Sequence, residues 1–171
     1  MKVIQLDWKI HWGPRIASLW NYINLKIAFF IFQDTEFPGF LESEFDNGPE
    51  DQRQYIAIKN SVDKLKIIQL GITLSDEHGN LPKPVSTWQF NFDWDIETER
   101  KAEVSINKLK ECGLDFNNFK HHGISPLYFA EKVMASGLVL NDRLTWICFH
   151  GNQDFGFLLK LMMNENLPST R

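Results

Sequence analysis

The sequence is poor in cysteine, with Cys112 and Cys148 as the two examples among 171 residues. Two isolated thiols argue against a disulfide framework, and we expect both to be small buried residues of a protein from a reducing compartment. Long apolar runs are missing too, since residues 27–32, the longest, fall far short of the about 20 residues of a membrane-spanning helix. The start of the chain shows no signal-peptide pattern. We therefore expect an intracellular protein that is not inserted in a membrane.

A surplus of basic charge is also absent, because 18 Lys and Arg stand against 22 Asp and Glu, for a net charge of -4. The chain as a whole generates no positive field of the kind that attracts nucleic acids. This is weak evidence against such a partner, because a metal-dependent nuclease needs acidic residues at its centre. The sequence does contain 43% hydrophobic residues, among them fourteen Phe and six Trp. A chain of this length and composition is expected to fold as one domain with an aromatic core.

Hydrophobic periodicity and turn residues divide the chain into strands and helices. The segment 42–54 is polar and contains an Asn-Gly-Pro turn signal, so we predict a loop there. Trp88, Phe90 and Phe92 alternate with polar residues, which favours a strand that buries them in the core over a platform for stacked bases. The predicted elements are a helix starting at Pro14, strands at 26–33, 65–74 and 86–92, helices at 99–111 and 126–137, a strand at 144–149, and a helix opened by Asp154.

The order of these elements brings three acidic residues to one edge of the predicted sheet. A strand reached through helices usually lies parallel to an earlier strand, by a right-handed crossover. If the fourth strand lies beside the first, the carboxyl ends of both point to the same edge. Asp34 and Glu36 end the first strand, and Asp154 follows the fourth. This edge is where open α/β sheets normally place their sites.

The chemistry available to these acids is metal binding. Side chains two residues apart on a strand point to the same face, so Asp34 and Glu36 can bind one centre. Carboxylate oxygens suit Mg²⁺ or Mn²⁺, and two such ions roughly 3.5–4 Å apart can bracket a phosphate. Taken singly, each residue has an ordinary alternative. The pair can be the solvated end of a strand, and Asp154 can be an acid of the first helical turn.

Several segments resemble the Caf1/Pop2 deadenylase family in their order and spacing. They are DTEFPG at 34–39, LKIIQLGIT at 65–73, STWQFNF at 86–92, YFAE at 128–131, SG at 136–137, FH at 149–150 and DFG at 154–156. No single segment is specific, but the combination is, and it covers nearly the whole chain from Phe29 onward. The resemblance implies the α/β fold of the DEDD exonucleases, a ribonuclease-H-like mixed sheet.

The resemblance also implies an activity and a site. The family consists of 3′–5′ poly(A)-specific exoribonucleases that shorten messenger-RNA tails by two-metal-ion hydrolysis, as catalytic subunits of the Ccr–Not complex. Carried over by position, Asp34, Glu36 and Asp154 are the catalytic residues and hold the Mg²⁺ or Mn²⁺ ions. The implied partners are poly(A) RNA and other subunits of the Ccr–Not complex, and the implied locations are the nucleus and the cytoplasm.

The sequence departs from the family pattern near its end. The family has a fourth acid, with a histidine five residues before it, and the sequence up to Arg171 has no match to either. We therefore expect residues 1–171 to form a single, incomplete ribonuclease-H-like domain that lacks the family's last strand and terminal helices. Activity would be impaired, because base catalysis alone contributes about 10²–10⁴-fold. The alternative is a non-catalytic module that binds Ccr–Not subunits or RNA.

Overall fold

The computed structural model describes residues 3–6, 28–41 and 48–170, and the helix predicted from Pro14 lies outside them. The described strands are β1 (Val3–Leu6), β2 (Phe30–Glu36), β3 (Gln69–Ser75), β4 (Thr87–Asn91) and β5 (Thr145–Ile147). The described helices are α1 (Glu50–Lys64), α2 (Glu103–Glu111), α3 (Phe116–His122), α4 (Pro126–Met134) and α5 (Asn152–Met163).

The strands form a five-stranded mixed sheet in the order β1–β4–β3–β2–β5. Strands β2, β3 and β4 are antiparallel neighbours. Strand β5 lies parallel to β2, with Phe30 opposite Thr145, so the predicted placement of the last strand beside the first is confirmed. The carboxyl ends of β2 and β5 therefore share one edge. Strand β1, which we did not predict, pairs in parallel with β4 at the other side of the sheet.

The main core lies on the face of the sheet that carries the apolar side chains of β3 and β4. Trp88, Phe90 and Phe92 are at most 1% exposed, which confirms that they are core residues. Phe129 of α4 packs edge-on against Phe90 and Phe92, with ring centroids 4.8 Å and 5.2 Å away. Helix α5 joins this layer, because it contacts α1, α4 and β2. Helices α1 and α4 thus hold α5 against the strand that carries the predicted acids.

Helix α1 begins inside the segment that we predicted as a loop, so that prediction is wrong for residues 50–54. Its start has ordinary helix signals that the polar composition obscured. Pro49 is the N-cap residue, and Glu50 and Asp51 lie in the first turn, where they complement the helix dipole. The helix has few buried side chains, among them Val62, and it packs against α5. Because Leu65 is its C-cap residue, the following strand starts later than predicted.

Two predicted helices occupy the expected positions but bury other residues than expected. The spacing of Val104, Ile106 and Leu109 predicts one shared face, yet Val104 of α2 is 84% exposed, and the helix starts at Glu103 instead of 99. In α5 the spacing predicts Phe155 and Leu159 on the inner side, yet they are 41% and 45% exposed, while Phe157 is buried. Both helices carry apolar residues around much of their circumference, so periodicity alone did not identify the buried side. Helix α3 was not predicted, and Asp115 caps it by accepting from the Asn118 amide at 3.0 Å.

The prediction of two buried cysteines is wrong. Both thiols are free, but Cys112 is exposed at the C-cap of α2 and Cys148 is half-buried just after β5. Ser125, which precedes the predicted helix at 126–137, caps α4, because its hydroxyl accepts from the Tyr128 amide at 3.5 Å. Within the described residues, no helix has the length and apolarity needed to cross a membrane.

Candidate metal centre

The pleat of β2 sends its last side chains to opposite faces of the sheet. Ile31, Gln33 and Thr35 are buried on the helix-covered face, whereas Asp34 and Glu36 alternate with them toward the other face. In the ladder to β3, Asp34 lies opposite Gly71 and Glu36 lies opposite Gln69. The two acids therefore lie at the carboxyl end of β2, where its backbone still pairs with β3.

Helix α5 supplies the third acid from its first turn. Asp154 is buried, with 7% of its surface exposed. Its Oδ1 accepts from the Thr35 amide at 2.9 Å and from the Thr35 hydroxyl at 2.6 Å. Hydrogen bonds to an ionised carboxylate are short and strong, so Thr35 fixes the Asp154 carboxylate against the end of β2.

The carboxylates of Asp34 and Asp154 meet a thiol at this edge. Ligand atoms of Asp34, Cys148 and Asp154 all lie within 4.8 Å of one another. Among the residues that the structure describes, these are the three potential metal ligands whose donor atoms come this close together. Glu36 lies outside this group, yet it is near enough for the charges of Asp34 and Asp154 to affect it. The structure thus brings Asp34 and Asp154 together and leaves Glu36 adjacent.

The electrostatics of the cluster are those of crowded negative charges. Burial, followed by the charge of Asp154, raises the pKa of Asp34 above its usual value. Burial, followed by the charges of Asp34 and Asp154, raises the pKa of Glu36. Burial and the neighbouring Asp154 raise the pKa of the Cys148 thiol to about 11. A cation at this edge would relieve the repulsion that these shifts report.

A shallow groove runs from the acids across the open face of the sheet. Its volume is about 260 Å³, and its lining residues are Asp34, Glu36, Gln69, Gly71, Thr87 and Gln89. Gln69 donates to the Asn91 side chain at 2.7 Å, which orients its amide beside Glu36. Gly71 has no side chain, so the floor between Asp34 and Gln89 stays open. The groove offers polar contacts next to the acids.

Sequence reasoning missed two residues of this site, Thr35 and Cys148. Thr35 lies between the two predicted acids, and its role depends on a hydrogen bond to a distant helix. Cys148 follows the strand that we placed beside β2, so the predicted topology already put it near Asp34. We had assigned it only as a small buried residue. That Asp34, Glu36 and Asp154 bind a metal stays a prediction.

The chain is similar to characterised proteins over most of its length. Residues 16–168 match the model of the CAF1 family ribonucleases. The poly(A) ribonuclease pop2 of Schizosaccharomyces pombe is 43% identical over 161 residues, which cover 92% of this chain and 48% of that protein. Two Arabidopsis thaliana relatives, probable CCR4-associated factor 1 homologues 7 and 10, are also 43% identical, with 54% and 61% of their lengths covered. The chain therefore spans about half the length of the curated relatives that it matches.

Solved structures agree with this assignment. The S. pombe Pop2p structure in its Mg²⁺- and Mn²⁺-bound form superimposes with a TM-score of 0.91 at 36% identity, covering 98% of this chain and 66% of that one. Yeast CAF1, co-crystallised with the NOT1 MIF4G domain, superimposes with a TM-score of 0.82 at 31% identity, covering 99% and 62%. The predicted ribonuclease-H-like mixed sheet is confirmed. The chain belongs to the CAF1 family of ribonucleases.

Proposed function

We propose that the chain carries the metal-binding edge of a 3′–5′ exoribonuclease acting on poly(A), with Asp34, Glu36 and Asp154 as the metal ligands. The observation that carries the proposal is the convergence of the Asp34 and Asp154 carboxylates from β2 and α5, two elements far apart in sequence. A chance surface pair of acids would not include a carboxylate that is buried and doubly hydrogen-bonded to the neighbouring strand.

The residues present fit Mg²⁺ or Mn²⁺. Carboxylate oxygens are the donors that these hard cations prefer, and the raised pKa values of Asp34 and Glu36 reflect negative charge that a cation would balance. A divalent ion held there supplies Lewis-acid stabilisation of a phosphate and lowers the pKa of an attacking water. The S. pombe relative was solved with both metals bound, which supports this assignment.

The protein's own residues prepare the edge for a phosphodiester. Thr35 holds the Asp154 carboxylate in one orientation through two hydrogen bonds, so little reorganisation is needed on binding. Asp34 is exposed, so it is accessible from the open face of the sheet. The adjoining groove, with the Gln69 amide oriented by Asn91, offers polar contacts to a nucleotide next to the acids.

The substrate assignment rests on the relatives. One of them is a poly(A) ribonuclease, so we propose poly(A) as the substrate class. Because this chain spans about half of such relatives, its activity is best tested directly. We expect slow, Mg²⁺- or Mn²⁺-dependent trimming of an oligo(A) from its 3′ end, in keeping with the impaired activity expected from the sequence. Gel electrophoresis of a 5′-labelled strand over long incubations measures its rate.

The variant Asp34→Asn tests the role of the acids. It should lower the trimming rate by about 10²-fold or more, because a bound divalent ion contributes several kcal/mol to transition-state stabilisation. Asp142→Asn is the matched control, since Asp142 is an exposed acid that lies outside the cluster. Equal trimming by the Asp34→Asn variant and the unaltered protein would refute the assignment.

A second candidate is a non-catalytic docking module of the Ccr–Not complex. Helix α4 exposes Leu127 and Met134, which are 62% and 48% accessible, and Leu140 beyond it is 94% accessible. Exposed apolar residues of this kind mark partner surfaces, and a yeast relative was crystallised with a NOT1 domain. Binding of a NOT1 MIF4G domain without any trimming of oligo(A) would favour this candidate over the enzyme.

Two further assignments accompany the proposal. We propose that residues 1–171 belong to one folding domain, which a single cooperative unfolding transition with coincident probes would support. We also propose that the protein acts on messenger RNA in the cytoplasm and the nucleus. Fluorescence imaging of the tagged protein tests this, and exclusion from either compartment would contradict it.

A further inference from the structure

A thiol lies among the acids of the candidate metal centre and has no role in the function proposed above. Cys148 Sγ is within 4.8 Å of carboxylate oxygens of both Asp34 and Asp154. Cys148 Sγ also donates a weak hydrogen bond to the Phe149 carbonyl oxygen, at 3.7 Å. One soft donor therefore sits beside two hard donors that the proposed function assigns to Mg²⁺ or Mn²⁺.

This thiol lies close to the start of α5. Gly151 is the N-cap residue of that helix, and a Cβ built on it would lie 2.6 Å from Cys148 Cβ and 2.9 Å from Cys148 Sγ. These distances are shorter than real Cβ contacts. The cysteine side chain therefore packs against the backbone of Gly151, in the space that a side chain at position 151 would take.

The three donors have the reach to share one ion. Metal–sulfur and metal–oxygen bonds to Zn²⁺ are about 2.3 Å and 2.0–2.2 Å long, so two ligands of one ion lie no more than about 4.5 Å apart. The ligand atoms of the three side chains are up to 4.8 Å apart, and small side-chain rotations bring them within that range. A thiolate ligand favours soft and borderline cations, whereas Mg²⁺ and Mn²⁺ prefer oxygen.

We propose that Cys148, with Asp34 and Asp154, forms a binding site for thiophilic divalent cations such as Zn²⁺ or Cd²⁺ at the same edge that takes Mg²⁺ or Mn²⁺. On binding, the Sγ–H bond breaks, an Sγ–metal bond forms, and the proton leaves to the buffer. Such an ion competes with Mg²⁺ for Asp34 and Asp154. The proposal rests on the proposed function in its use of these two carboxylates as metal ligands.

The test is a titration of the full chain with Cd²⁺, followed by the ultraviolet charge-transfer band of a cadmium–thiolate bond. The band should appear with one ion per chain and be absent from Cys148→Ser. In Cys148→Ser, the ratio of Cd²⁺ affinity to Mn²⁺ affinity should fall at least about 10–100-fold. Mutation of a residue that only supports a metal ligand already weakens metal binding by that much. The ratio distinguishes loss of the thiolate ligand from misfolding, because an unfolded variant would lose affinity for both ions together.

Cys112→Ser is the matched control, since Cys112 is the second cysteine of the chain and is exposed on α2. It should keep the band and the affinity ratio. A band that persists in Cys148→Ser, that disappears in Cys112→Ser, or that never forms in the unaltered protein would overturn the proposal. Mn²⁺ binding without a Cys148-dependent band defeats this proposal alone. A Cys148-dependent band without Mn²⁺ binding or trimming instead defeats the proposed function.

Discussion

The junction of α1 and α5 surrounds a half-buried charge with partners, whereas the carboxyl edge of β2 gathers like charges. At the junction, Lys160 Nζ donates to the carbonyl oxygens of Val62, Asp63 and Leu65 at 2.7 Å, 2.9 Å and 3.1 Å. These carbonyls belong to the last turn and C-cap of α1, which intrahelical hydrogen bonds leave without partners. Lys160 of α5 thus caps the C-terminal end of α1.

The edge of β2 shows the opposite pattern. Burial, followed by the charge of neighbouring carboxylates, raises the pKa values of Asp34 and Glu36. Gln33, one residue before Asp34, is 4% exposed, and neither its Oε1 nor its Nε2 finds a hydrogen-bond partner within the described part of the chain. The difference teaches that the junction is arranged for stability, while the edge holds polar groups at some cost, as binding sites do.

The largest expected effect concerns the junction. Lys160→Met should lower the free energy of unfolding by about 1.5–3 kcal/mol, because charged hydrogen bonds are lost and helix-end carbonyls lose their partners. Urea unfolding followed by circular dichroism measures this value. Lys132→Met is the control, since Lys132 pairs on the surface with its neighbour Glu131. Equal stabilities of the two variants would show that the junction does not depend on its lysine.

The next effect has the opposite sign and concerns the edge. In EDTA at neutral pH, Asp34→Asn should raise the free energy of unfolding by at most about 1 kcal/mol, because it removes one of the crowded charges from an exposed and therefore screened site. Burial, followed by the charge of Asp154, raises the folded pKa of Asp34 above its ordinary value of 3.8, so the ionised acid costs stability as the pH rises above that value. The gain should vanish below pH 3.8, and a gain that persists there would have another cause.

The smallest expected effect on stability comes from replacing Lys66, a half-exposed lysine that pairs with two carboxylates. Lys66 Nζ lies 2.9 Å from Asp93 and 3.1 Å from Glu99. Burial lowers its pKa, but the two carboxylates raise it by more, so the net shift is upward from 10.5. Its contribution is therefore complete below that pH and is lost as the pH rises through the folded value. Lys66→Met should cost about 0.5–1 kcal/mol, and thermal melts at neutral pH with no decrease would contradict this.

The order of strands β2 to β5 and the side-by-side placement of β2 and β5 were predictable, because alternating aromatics and helix signals identify the elements and chirality limits their connections. Asp34 and Asp154 followed from that topology. Helix α1 was missed, because its polar composition obscured the helix signals at its start. The hydrogen bonds of Thr35 to Asp154 and the seat of Cys148 beside Gly151 were equally out of reach. They depend on contacts between distant segments that no local pattern encodes.

The central claim is that Asp34 and Asp154 bind a divalent metal together, and calorimetric titration with Mn²⁺ tests it most directly. The unaltered chain and Asp142→Asn should bind Mn²⁺ with equal affinity. Asp34→Asn and Asp154→Asn should each bind at least about 10–100-fold more weakly, the loss known for less direct partners of a metal. Unchanged Mn²⁺ affinity in both of these variants would contradict the account.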